Sequence, residues 1–340
     1  MVARKPFDAL VRALRSPDAV AAAEAARLLG ELGRRQAVRH LLRYVSTSRH
    51  YHKTLGFEAL ARIGDASACP ALRRLVARPN VRDDWYWYGC RGVRAAAAVA
   101  LLALGDDGGA AYLRELADKQ DDVFYCWFGP AILRLPPATA AARELKARIT
   151  VEALHDPGAR RTRHTDPGVV TMKAETLGLL ATPAACQALL DLMRFHSRYV
   201  RGQAVLSLLQ ASRAPEHLKA AEALADGDPT DFVRIKAALA LARSGRPGRA
   251  AFIAQAAASL EDLFDRAVAI EALGLVGGKE HGPVVARQLR EADPYVRQCA
   301  LEALERIDPG AAGRAAQRLV KDKALRVQLQ AAKVLAAREA

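Results

Sequence analysis

Residues 293–308 read DPYVRQCALEALERID. Val296, Cys299, Ala300, Ala303, Leu304 and Ile307 fall at the i, i+3, i+4, i+7 spacing of a helix with one buried face. Asp293 and Pro294 are residues that open helices. The pattern returns along the chain as SRYVRGQAVLSLLQA (197–211), TDFVRIKAALALARSG (230–245), DLFDRAVAIEALGLVGG (262–278) and KALRVQLQAAKVLAA (323–337). Superposed, these stretches align Arg201, Arg234, Arg266, Arg297 and Arg326, with a period of about 31 to 33 residues through the first four. RGVRAAAAVALLALG (91–105) carries the motif at Arg94, and residues 16–33 and 50–64 are looser copies.

A second amphipathic segment precedes each copy, as in ACPALRRLVAR (68–78), AACQALLDLMR (184–194) and PEHLKAAEALAD (215–226). Pro, Gly and Asp punctuate the joins, so the unit is helix A, turn, helix B, turn. About ten such units fill the 340 residues. Composition agrees: 51% of residues are hydrophobic but only 6% aromatic, with alanine supplying much of the difference. Alanine favours helix and leaves little bulk, which suits thin helices stacked closely over a long chain. One helix pair cannot bury its own apolar stripe, but stacked pairs can.

The D-x-x-V-R-x-x-A-x-x-A-L pattern of helix B resembles the HEAT-repeat family, especially the short bacterial HEAT-like repeats first associated with phycobilin lyases. The resemblance covers nearly the whole chain. It implies an all-α, right-handed α-solenoid of about ten helix pairs, with B helices lining a concave face. The expected organisation is a single array over residues 1–340, irregular at 79–137 and interrupted by a polar loop at 155–171. One fold of this kind hosts many functions, so function has to come from sites.

Several classes are excluded. No apolar run reaches the roughly 18 residues of a membrane span. The start, MVARKPFDALVRALRSPD, has no secretory apolar core, so a cytoplasmic protein is expected. The five cysteines are scattered singly and form neither a zinc module nor a disulfide framework. Net charge is +14, from 51 Lys and Arg against 37 Asp and Glu. That balance suits a polyanionic partner, and it is also what Arg-heavy codon usage produces. The repeated arginines follow acids by four residues, as Asp262 precedes Arg266, Asp293 precedes Arg297 and Asp322 precedes Arg326. A structural acid–arginine ladder along the B helices is the expected reading.

Sites in repeat arrays show as departures from the repeat, and two stand out. All three tryptophans, Trp85, Trp87 and Trp127, lie in two adjacent repeats, with Tyr86, Tyr88, Phe124 and Tyr125 beside them. Both segments occupy the turn into helix B, which places them side by side about 10 Å apart. With Arg91 and Arg94 they form the expected partner-binding patch, since aromatics beside arginines anchor side chains or stack bases. The alternative is that these rings fill a thin core. The second departure is residues 155–171, whose Arg160, Arg161 and Arg163 have the chemistry of a phosphate-contacting loop.

Catalytic signatures are absent: no GxSxG, HExxH, P-loop or GxGxxG occurs. Among HEAT-like enzymes, deoxyhypusine hydroxylases bind iron through His-Glu steps. The corresponding positions here are Phe57-Glu58, Ala174-Glu175, Ile270-Glu271 and Leu301-Glu302, without histidine. Alkylpurine DNA glycosylases of the HEAT-like class use a groove with tryptophans, an aspartate and basic residues. Asp83, Asp84, Trp85, Trp87 and Arg91 are similar in chemistry, but no Asn-Trp-Asp-type run is present. His50 and His52 lack further ligands for a metal. The expectation is therefore a non-catalytic scaffold without metal or cofactor that binds a partner protein or peptide on its concave face. The alternative is a nucleic-acid-binding HEAT-like protein related to those glycosylases.

Overall fold

The computed structural model describes residues 6–47, 53–78, 89–119, 124–125, 128–136, 139–155, 166–246 and 248–339. Those residues form 21 α-helices, short 3-10 turns and no strand. The fold is an all-α solenoid of stacked helix pairs. The helices pack as two compact units, residues 1–159 with 335–340, and residues 160–334.

The first unit holds α1 (Pro6–Ala13), α2 (Ala19–Leu32), α3 (Val38–Thr47), α4 (Thr54–Ile63), α5 (Cys69–Val76), α6 (Gly89–Ala103), α7 (Ala110–Asp118), α8 (Gly129–Arg134), α9 (Ala140–Ala147) and α10 (Val151–His155). In it α4 packs on both α2 and α6, and each of α3 and α5 packs on the helix that follows it. The other helices are α11 (Pro167–Leu180), α12 (Pro183–Leu192), α13 (Arg198–Ala211), α14 (Pro215–Gly227), α15 (Asp231–Arg243), α16 (Arg249–Ser259), α17 (Leu263–Val276), α18 (Gly282–Gln288), α19 (Pro294–Ile307), α20 (Pro309–Leu319) and α21 (Leu325–Ala337). Here the B helices form a row: α11 packs on α13, α13 on α15, α15 on α17 and α17 on α19.

The inner helices of that row, α13, α15 and α17, are buried on most sides, because each meets an A helix and two other B helices. In α17, Ala267, Val268, Ala269, Ile270, Ala272 and Leu273 are all buried. Small residues set the spacing. A methyl group on Gly274 would lie 2.7 Å from the Ala303 Cα, so α17 and α19 approach nearly backbone to backbone. Helix starts follow the sequence signals: Asp262 and Asp293 each accept backbone N–H bonds from the first turn behind them.

The acid–arginine ladder is present and has a recurring geometry. Arg201 grips Asp228 of the next repeat through Nε and Nη2, at 2.8 and 3.0 Å. Its Nη1 donates to the carbonyls of Phe195 and His196. Arg297 repeats this on Asp322, at 2.9 and 2.7 Å, with Nη1 on the carbonyls of Glu291 and Ala292. Arg266 reaches Glu291, while Arg234 turns back to Asp231 of its own first turn. Burial pushes the Asp228 carboxyl up, but hydrogen bonds from Arg201 and Thr230 outweigh it and hold it below the usual range. Arg297 does the same for Asp322 against burial, aided by the Ala324 N–H.

Residues 167–171, expected at the end of the polar loop, are the first turn of α11 and its continuation. Asp166 caps α11, accepting from the N–H groups of Gly168 and Val169, and Pro167 is the first helical residue. Asp166-Pro167 is therefore a helix start, because proline's missing N–H costs nothing there. No helix among the described residues is long and apolar enough to cross a membrane.

Candidate interaction surface

Trp85, Tyr86, Trp87, Tyr88, Trp127, Arg160, Arg161 and Arg163 lie outside the described residues, as do His50 and His52. Arg91 falls in α6, but its side chain is also outside the description. Arg94 is half-buried: its Nε donates to the Val76 carbonyl at 2.9 Å and its guanidinium lies 4.0 Å from the centre of the Tyr112 ring. It ties α6 to α5 and α7.

Phe124 and Tyr125 correct the expectation of a surface patch. They are 0% and 9% exposed, and their rings meet edge to face at 4.8 Å. The Tyr125 hydroxyl donates to the Ala117 carbonyl at 3.3 Å. Both rings fill the interior where alanine-rich packing leaves room, which is the thin-core alternative. Burial pushes the Tyr125 hydroxyl pKa up.

Among the described residues, the exposed aromatics lie in the second unit. Tyr199, Phe232 and Phe264 open α13, α15 and α17, each two residues before the repeat arginine. Tyr199 and Phe264 are 46% and 41% exposed, and Leu263 adds further apolar surface. The three rings form one cluster. Tyr199 meets Phe232 at 5.2 Å and Phe264 at 6.4 Å, both near edge-on, and Phe232 stacks on Phe264 at 6.1 Å. Gly202 makes room, because a methyl group there would come within 2.7 Å of the Phe232 ring.

Arg198 covers the cluster. Its guanidinium carbon lies 5.2, 5.4 and 5.7 Å from the centres of Tyr199, Phe232 and Phe264. Its Nη1 sits 3.3 Å from Oδ1 and 3.4 Å from Oδ2 of Asp265. Asp265 is only 6% exposed, and its Oδ1 is buried without a hydrogen bond. Burial pushes its carboxyl pKa up, Arg198 opposes that, and Asp262 and Asp231 reinforce it. The Lys236 ammonium also stands near Phe232, 5.6 Å from the ring centre. Burial lowers its pKa against the pull of Glu271.

Two further features are polar. Glu271 Oε1 accepts from the Tyr295 hydroxyl at 3.1 Å and from the Cys299 thiol at 3.2 Å. Burial raises the pKa of both donors, so this thiol stays protonated and is a poor nucleophile. Between α18, α19 and α20 lies a cavity of about 460 Å³ with an apolar floor and Arg290, Arg314 and Arg318 at its edge. Among the described residues, no hydrogen bond or ion pair engages the side chains of those three arginines. No group of three or more His, Cys, Asp or Glu among the described residues is placed to hold a metal.

Sequence reading missed the ring cluster because its members are a repeat apart and look isolated. The signal was available: the position two before the repeat arginine reads Tyr199, Phe232, Phe264 and Tyr295 in succession.

Residues 7–85 match the family model for HEAT repeats. No curated protein matches the chain. Among solved structures, the complex of CpcE and CpcF of phycocyanin lyase from Nostoc sp. PCC7120 is 18% identical over 91% of this chain and 95% of that chain, with a TM-score of 0.33. Human deoxyhypusine hydroxylase in complex with glycerol is 20% identical over 88% of this chain and 95% of that chain, also with a TM-score of 0.33.

Proposed function

For a chain that carries HEAT repeats, we propose the role of a non-catalytic scaffold that binds a partner protein or peptide on the face formed by its B helices. Tyr199, Phe232 and Phe264 are its anchor. The observation that carries this reading is the exposure of Tyr199 and Phe264 within one ordered ring cluster. Solvent-facing aromatics held by neighbouring helices are what interface hot spots are made of, since they bury much area at small entropic cost. Trp85, Tyr86, Trp87 and Tyr88 are proposed as a second anchor.

The test is selection of a displayed peptide library on the full chain. Recovered peptides should bind Phe264→Ala at least tenfold more weakly than wild type, and equal binding would refute the anchor. A second reading, polyanion binding, is supported by the three unengaged arginines at the α18–α20 cavity and the net charge of +14. Anisotropy with labelled duplex and single-stranded DNA at about 50 and 200 mM salt separates the two readings. Binding through phosphates weakens with a slope near −0.9 per contact in log salt, whereas aromatic anchoring is nearly insensitive.

A further inference from the structure

We propose that Tyr199, Phe232, Phe264 and Asp265 form a receptor for an arginine side chain of the partner, and that Arg198 fills this receptor while the partner is absent. The proposal rests on reading the same surface as an interaction site.

The chain's own guanidinium shows what chemistry the surface accepts. Three rings from three consecutive B helices bring their centres within 5.2–5.7 Å of one cationic carbon. That is inside the roughly 6 Å range in which a ring face attracts a cation. A carboxylate closes the fourth side, completing the combination of π faces and an acid that suits a planar, weakly hydrated cation. Asp231 and Asp262 lie close enough to act on Asp265. The spot is thus locally acidic on a chain of net charge +14.

Arg198 occupies the site incompletely. It offers Asp265 a single nitrogen, 3.3 and 3.4 Å from the two oxygens, and leaves Oδ1 buried without a hydrogen bond. In the same unit Arg201 and Arg297 grip Asp228 and Asp322 with two nitrogens each, at 2.7–3.0 Å. A guanidinium that can turn its fork to a carboxylate makes two charge-assisted bonds where Arg198 makes one. Arg198 is tethered beside Tyr199 at the start of α13, whereas Asp265 sits in the first turn of α17, two repeats away. An incoming arginine carries no such tether, satisfies Oδ1 and releases Arg198 to solvent. The resident side chain lowers apparent affinity by the fraction of time the site stands open, so its removal strengthens binding.

The test is calorimetric titration of the full chain with Nα-acetyl-arginine amide, using the neutral isostere Nα-acetyl-citrulline amide as control. Arg198→Ala should bind the arginine probe at least tenfold more tightly than wild type and bind the citrulline probe no better. Adding Asp265→Asn to Arg198→Ala should abolish the gain. Arg198→Gln, which keeps the length of the stem, should reproduce it if the alanine variant folds poorly. Equal affinity of wild type and both Arg198 variants would overturn the receptor and leave Arg198 as a brace across three helices. Arginine binding in this assay without any peptide from library selection would leave the receptor standing and remove the partner reading. Selected peptides whose affinity ignores Arg198 would do the reverse.

Discussion

Two aromatic groups in this protein have opposite fates. Phe124 and Tyr125 are adjacent in sequence, sit in the first unit and are buried against each other. Tyr199, Phe232 and Phe264 are a repeat apart, sit in the second unit and share one half-exposed cluster. Neighbours along a helical stretch point about 100° apart and cannot all face one surface. Residues at one register of a repeat are carried to the same face by every unit that stacks. Phe124 and Tyr125 thus fill local core, whereas recurrence at the repeat period gathers Tyr199, Phe232 and Phe264 on one surface.

The largest effect should come from the buried pair. Phe124→Ala should destabilise the first unit by about 3–5 kcal/mol in chemical denaturation, because it empties a fully enclosed ring site. Phe264→Ala should cost far less stability while weakening peptide binding. A Phe264→Ala loss as large as that of Phe124→Ala would erase the distinction between core and surface.

Next in size are the ladder acids. Asp228→Asn or Asp322→Asn leaves an arginine that is nearly buried without its counter-charge, at a cost of about 3 kcal/mol or more. Asp265→Asn should be milder, since its carboxyl pKa is already raised by burial. The signs differ with pH as well. Asp228 and Asp322 titrate below the usual range when folded, so their stabilisation is present above the unfolded value near 4 and is lost as pH falls through the folded value. Asp265 titrates above it, so the strain of holding it charged is relieved as pH falls. Acid unfolding curves of Asp228→Asn and Asp322→Asn should therefore be flatter than wild type, and that of Asp265→Asn should not.

The smallest effect is expected from Tyr199→Phe. It removes only a long hydrogen bond from Arg198 at an exposed site, and should change stability by less than about 0.5 kcal/mol in the same denaturation assay.

The repeat itself was legible in the chain. DPYVRQCALEALERID and its copies announce helix B, and Asp262, Asp293 and Arg297 take the places their spacing assigns them. Less legible was which arginine would pair forward. Arg201 and Arg297 find an aspartate in the next repeat, whereas Arg234 finds one only in its own first turn. Pairing of that kind depends on loop geometry that helical periodicity does not encode. The end of the expected 155–171 loop was hard to place for another reason: an Asp-Pro step such as Asp166-Pro167 can start a helix or make a turn, and the downstream Val169, Val170 and Leu177 decide between them. The ring cluster was hidden because each member looks like an ordinary apolar residue until the register is compared across repeats.

Gly202 gives the row of B helices a direction. The position just after the repeat arginine holds Gly202, Ile235, Ala267, Gln298 and Val327 in turn. At the first, a side chain as small as a methyl group would come within 2.7 Å of the Phe232 ring on the next B helix. An array of near-identical modules has no inherent beginning, and a ligand could slip from one to the next. Here an absent methyl group, set behind the surface, marks one module as different from the rest.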